Sequence, residues 1–188
     1  MEVHMISPKN VKRFARKKEE ENYAFRSFLK GYANPKAFDK KVNRLHRELF
    51  AAYDCSQCRN CCKEFHGSIP AEDVEQDAKY LKMDVEEFKR RFLEQDKHDE
   101  GFVTRHKPCD FLQPDGNCLL GERRPRSCKE YPYTNKRDRI GSLLSMLENA
   151  EVCPVIYEII ERLKQDPDYE AFDEDFVEEF RDMTRQFQ

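Results

Sequence analysis

At 188 residues the chain is long enough to bury a core as one domain, or one domain with a helical extension, which excludes a peptide held together only by crosslinks. Its 14 Phe and 8 Tyr exclude wholesale disorder, while a hydrophobic fraction of 38% against 38% charged leaves a lean core that metal crosslinks would help most. A net charge of −3 and a pI near 6.0 exclude a global basic field for phosphate backbones, and no stretch approaches about 18 uninterrupted apolar residues, so neither nucleic acid nor a membrane is an expected partner.

Residues 1–21 carry Lys and Arg without an apolar run, so neither a secretory signal nor an anchor is expected there. The expected compartment is therefore cytoplasmic, where thiols stay reduced and cysteines read as metal ligands or catalytic groups. A first helix is expected over 8–32, with Val11, Phe14, Phe25, Phe28, Leu29 and Tyr32 as a broken apolar stripe. Its charged middle offers Arg16/Glu20 and Lys17/Glu21 as i,i+4 pairs, and the run reads as a solvated face or as a docking surface for a charged partner. Gly31, Asn34 and Pro35 punctuate the chain before a second helix over about 36–52, where Phe38, Val42, Leu45 and Leu49 recur at 3-to-4 spacing.

That helix leads to Cys55, Cys58, Cys61 and Cys62, four thiols within eight residues. Ser68 and Pro70 then open a helix to about Leu81, and Asp84 with Glu87 has the form of a helix cap before Phe88, Phe92 and Leu93. Gly101–Thr104 has weak strand character. Cys109–Leu112 and Asn117–Leu120 flank Gln113-Pro114-Asp115-Gly116, which predicts a short hairpin with one cysteine on each arm. Pro125 and Pro132 bracket Cys128 and leave room for a single helical turn. An amphipathic segment over 139–150 precedes Cys153, which heads a helix from Pro154 to Lys164. The last segment, Asp173–Phe187, is acidic and helical in pattern, with Phe172, Phe176, Phe180, Met183 and Phe187 on one face.

The fold class expected is mainly α, a small α+β protein with helices around irregular cysteine-bearing loops and a short β-hairpin, stapled by metal or an iron–sulfur cluster. A C-x2-C spacing lets two thiolates reach one soft ion, and both Cys55/Cys58 and Cys58/Cys61 have it. A helical run would put all four thiols within an arc of about 120°, whereas an extended one would point Cys61 and Cys62 to opposite sides. Eight cysteines suffice for two four-thiolate zinc sites, one cluster with four thiols to spare, or two clusters. The ferredoxin order C-x2-C-x2-C-x3-C-P is absent, which disfavours an electron carrier of that type. His66 and His106 lie near the cysteines and have the chemistry to replace a thiolate, although a lone histidine more often has a structural role. Arg59, Lys63, Arg123, Arg124, Arg126 and Lys129 flank the cysteines, either as solvated charges or as partners that offset thiolate charge.

Cys55-x2-Cys58-x2-Cys61-Cys62, Pro108-Cys109-Asp110-Phe111-Leu112, Gly116-Asn117-Cys118, Arg124-Pro125-x2-Cys128-x2-Tyr131-Pro132 and Cys153-Pro154 together resemble the CxxCxxCC cysteine-cluster family, YkgJ-like, described as a zinc- or iron-chelating domain. The resemblance covers about residues 55–155 and implies that Cys55, Cys58, Cys61, Cys62, Cys109, Cys118, Cys128 and Cys153 are all metal or cluster ligands. The implied cofactor is zinc or an iron–sulfur cluster. Three regions follow: 1–54 as an N-terminal helical region, 55–155 as the cysteine-cluster metal-binding domain, and 156–188 as helices packing on or extending from the core. The family is also similar to flagellin lysine N-methylase, which implies an alternative as a metal- or cluster-dependent protein-modifying enzyme. No G-x-G-x-x-G loop and no Ser/His/Asp order supports that alternative from the residues themselves. The leading expectation is a cytoplasmic metal-binding protein whose thiolates hold the fold. A third alternative is a metal-stapled scaffold that presents a terminal helix to another protein, the one class of partner these features leave open.

Overall fold

The first helical segment is two helices, α1 (Val11–Lys17) and α2 (Glu19–Tyr32), in the structure, a computed structural model that describes residues 5–97 and 100–186. No side chain over 16–21 is buried, so nothing fixes the rotation of one apolar stripe on the other, and the chain turns at Lys18, whose N–H is shared between the Phe14 and Ala15 carbonyls. The i,i+4 pairs expected there give way to other partners: Arg16 binds Glu151, Glu20 binds Arg181, and Glu21 binds Lys164 and, at i,i+3, Lys18. Helix α3 (Pro35–Phe50) starts where Asn34 Oδ1 accepts from Ala37 N at 3.1 Å, and it buries Phe38, Val42, Leu45 and Leu49 as their spacing requires.

Next come α4 (Cys55–Cys58) and α5 (Asn60–Glu64), then β1 (Ser68–Ile69), a 3-10 turn, α6 (Val74–Tyr80), α7 (Val85–Phe92), β2 (Leu93–Gln95), β3 (Phe102–Thr104) and α8 (Arg126–Glu130). Asp84 Oδ1 caps α7, accepting from Glu86 N at 2.9 Å and Glu87 N at 3.2 Å. The sheet is antiparallel with order β1-β3-β2, and Val103 faces Ser68 on one side and Glu94 on the other. The outer strands are two and three residues long, too short to carry a period-2 pattern in the sequence.

The chain closes with α9 (Leu143–Ala150), α10 (Pro154–Lys164), a second proline-headed 3-10 turn, and α11 (Glu174–Arg185). The expected bounds of α10 are met residue for residue, because Pro154 starts it and Ile156, Ile159, Ile160 and Leu163 bury one face. Helix α10 packs on α9 and α3, and α11 packs on α2. The α11 seam is aromatic: Phe172 lies 4.8 Å from Phe25 between ring centroids, and Phe176 meets Phe28 edge-on at 5.3 Å. Met183 on α11 stays 54% exposed, and Phe187 lies outside the described residues. The protein is thus mainly helical with a small three-stranded sheet.

Two units divide these elements. One joins the chain up to Tyr53 with the chain from Pro132 onward, and the other is Asp54–Tyr131. The Asp54–Tyr131 unit has its own core of Ile69, Val74, Ala78, Phe88, Phe92, Leu93, Phe111 and Leu120. Phe88, Phe92 and Phe111 form an aromatic triangle with centroids 5.1 to 6.0 Å apart, and the side chains of Cys109 and Cys118 pack against this core. Among the described residues, no helix is long and apolar enough to cross a membrane.

Candidate metal centre

The thiols of the Asp54–Tyr131 unit are placed by short elements whose ends are fixed by hydrogen bonds. Asp54 caps α4, its carboxylate accepting from Ser56 N and Ser56 Oγ, both at 2.7 Å. The helix stops after Cys58, because Arg59 takes a left-handed conformation at φ 55° and separates α4 from α5. The run is therefore neither the continuous helix nor the extended strand considered from sequence, and its four thiols do not share one helical arc. The Cys109 N–H donates to the Cys62 carbonyl at 2.8 Å, which ties the second half of the run to the turn ahead of the hairpin.

A short hairpin pairs residues 111–113 with 117–119; Cys118 sits on its second arm, whereas Cys109, expected on the first, lies two residues ahead of it in a turn. Leu112 and Cys118 form an antiparallel bridge, Gln113 N donates to Asn117 O at 2.8 Å, and Leu119 N donates to Phe111 O at 2.7 Å. Gly116 sits at φ 84° in the turn, a conformation glycine adopts without Cβ strain. On the far side, Pro125 opens the single turn of α8 and its carbonyl accepts from Cys128 N at 3.0 Å. The 3-10 turn before α8 is anchored by Arg123 Nε on the buried Asp77 carboxylate at 2.7 Å.

These elements bring Cys62, Cys109, Cys118 and Cys128 to the wall of one cavity of about 20 Å³, together with Arg59 and Arg124. A water needs roughly 10–15 Å³ by this measure, so the space suits one ion-sized atom. Gly67 also lines it; a Cβ there would stand 3.8 Å from Cys109 Sγ and 3.3 Å from Thr104 Cγ2, so a side chain would crowd the wall. Thr104 is fully buried, exchanges hydrogen bonds with Gly67 and hydrogen-bonds the Cys109 sulfur. All eight cysteines are thiols rather than disulfides.

The four thiols differ electrostatically. A hydrogen bond from Cys61, with the charges of Arg124, Arg59 and Lys63, outweighs burial and brings Cys62 down to about 6. Burial pushes Cys109, Cys118 and Cys128 up from the ordinary thiol value. The donor chemistry fits a soft divalent ion: four thiolates around it leave a charge of about −2, which two guanidinium groups offset. Among the described residues, no three Cys, His, Asp or Glu side chains stand in metal-holding geometry.

The other expected ligands have distinct settings. Cys55 is exposed on α4, Cys58 is buried one turn later, and neither lines the cavity. Cys61 supports Cys62 through their shared hydrogen bond. Cys153 belongs to the other unit, where it is buried at the head of α10. His66 Nδ1 is engaged by the Thr104 carbonyl, and His106 Nδ1 meets Asp110 Oδ1 at 2.6 Å, which leaves Nε2 of each ring as the nitrogen without a described bond. As site residues, Gly67 has only its adjacency to His66 as a signal in the sequence, and Thr104 only its place at the end of the strand expected over 101–104, five residues before Cys109. Arg59 and Arg124 were flagged only as two of six flanking cations.

No match is found among curated proteins or among solved structures. A family model does match residues 54–154, and its family is described as a candidate zinc- or iron-chelating domain. With more than half its length matched, the chain belongs to the CxxCxxCC family.

Proposed function

We propose that this protein chelates a single zinc or iron(II) ion through Cys62, Cys109, Cys118 and Cys128. The observation that supports this reading is that these four residues, from α5, the turn ahead of the hairpin, its second arm and α8, line one atom-sized cavity. Assignment of Cys55, Cys58, Cys61 and Cys153 as ligands rests on the family motif alone. When bound, the ion supplies a crosslink between chain segments distant in sequence, and its binding energy is folding energy for the unit.

The chain's own residues do the rest. Cys62 offers a thiolate near neutral pH, and the remaining three thiols would lose their protons on holding the ion. Arg59 and Arg124 hold positive charge beside the cavity, which lowers the cost of gathering four thiolates in a half-buried space. Phe111 and the core beneath it hold the hairpin arms in register. A reducing compartment such as the cytoplasm is the setting this chemistry needs.

The test is metal content after purification under reducing conditions. About one zinc or iron per chain is expected for the parent, with at least fivefold less for both Cys62→Ser and Cys128→Ser. Full content in both variants contradicts the assignment, as does iron accompanied by acid-labile sulfide, which indicates a cluster.

A further inference from the structure

A second recess lies in the unit built from both chain ends, where α1, α2 and α9 pack on one another. Its volume is about 160 Å³, whereas a single water needs only roughly 10–15 Å³, so it takes a small molecule rather than one atom. Ala15 and Leu147, both buried, give it apolar walls, and Tyr23 adds a partly exposed aromatic ring. The remaining lining is Glu19 and Asn22 from α2, Glu148 from α9 and Glu151 just past its end, so three carboxylates and no basic side chain line the space. Glu151 accepts from Arg16 Nε at 3.1 Å; among the described residues neither Glu19 nor Glu148 has an ion-pair partner. Asn22 points independently to a hydrogen-bond donor: it is 5% exposed, and its Oδ1 is buried without a partner, which costs the fold stability.

We infer that this recess binds a short aliphatic diammonium, with its charged ends on the carboxylates of α2 and α9 and one ammonium donating to Asn22 Oδ1. Asn22 Oδ1 and the Glu19 and Glu148 carboxylates are all acceptors, so the ligand is a donor, and the carboxylates make it a cation. Three carboxylates offset by the Arg16 guanidinium leave a charge of about −2, which two ammonium groups balance. A bare divalent metal balances the same charge, but it is far smaller than the space and makes no use of Ala15, Leu147 or Tyr23. The methylenes of a diamine cover the two apolar walls, and the Tyr23 ring offers its face to an ammonium. A water would satisfy Asn22 and leave the carboxylate charge unbalanced. No residue of the thiol cavity lines this recess, so the inference is independent of the metal reading.

The experiment is isothermal titration calorimetry of the purified full-length protein in physiological salt, with putrescine, a four-carbon diamine, and its monoamine counterpart n-butylamine as probes. One saturable site for putrescine and at least tenfold weaker binding of n-butylamine are expected. Glu148→Gln, at an exposed position with little packing to lose, should weaken putrescine binding at least tenfold, and Asn22→Ala should weaken it as well. Glu178→Gln, exposed on α11 and outside the recess, should leave it unchanged. The absence of a saturable site, equal affinity for the two amines, or parental affinity in Glu148→Gln overturns the inference. Equal losses in Glu148→Gln and Glu178→Gln overturn it too, because they indicate unspecific attraction to an acidic protein. Displacement of putrescine by equimolar Mg2+ or Ca2+ makes the recess a hard-metal site and likewise overturns it.

Discussion

Cys62 concentrates the chemistry of the cavity because it alone among the four thiols is favoured as a thiolate. Its folded value of about 6 lies below the ordinary 9, so this residue stabilises the metal-free fold fully above pH 9; the contribution shrinks as pH falls and is gone below about 6. Cys109, Cys118 and Cys128 are shifted upward, so their contribution is present below pH 9 and is lost as pH rises through their folded values. Iodoacetamide should therefore label Cys62 of the metal-free protein with a pH midpoint near 6, and Arg124→Gln should raise that midpoint; a midpoint near 9 in the parent contradicts the electrostatic account. The sequence announced the thiols by type and spacing. It could not rank them, since the ranking depends on Arg59, Arg124 and Cys61 being brought around one sulfur by folding.

The elements around the site are short, and short elements are the least legible in sequence. Helices α3 and α10 were readable because four or more buried residues recur at helical spacing with a start signal ahead of them. The break at Lys18, where no buried side chain fixes the stripe, the left-handed turn at Arg59, and strands β1 and β2, which need partners from another segment, were not. Helix α7 is an intermediate case, an eight-residue element whose N-terminus was read from Asp84 and whose Phe88 and Phe92 are two of the eight buried core residues under the hairpin. Asp84→Ala removes the acceptor for two amides and should lower the stability of the metal-free protein by about 1 kcal/mol. Urea unfolding at pH 7 measures this, and an unchanged midpoint would show that the cap is idle.

The whole molecule pairs two kinds of stability. The unit built from both ends of the chain carries long helices, an aliphatic face on α10 and an aromatic seam between α2 and α11. The Asp54–Tyr131 unit has a small core, helices of at most eight residues and seven of the eight cysteines. That division makes physical sense, because a unit of this size buries little apolar area and gains proportionately more from a metal crosslink. The family match crosses the unit boundary to residue 154 and includes Cys153, so the motif as written in sequence is longer than the unit that gathers the cavity thiols. The most direct measurement is X-ray absorption at the edge of the bound metal in the purified protein. A single shell of four sulfurs at about 2.3 Å, with no metal–metal scattering, is the predicted result for zinc. A shell dominated by nitrogen or oxygen, or a second metal within bonding range, would contradict a single ion held by Cys62, Cys109, Cys118 and Cys128.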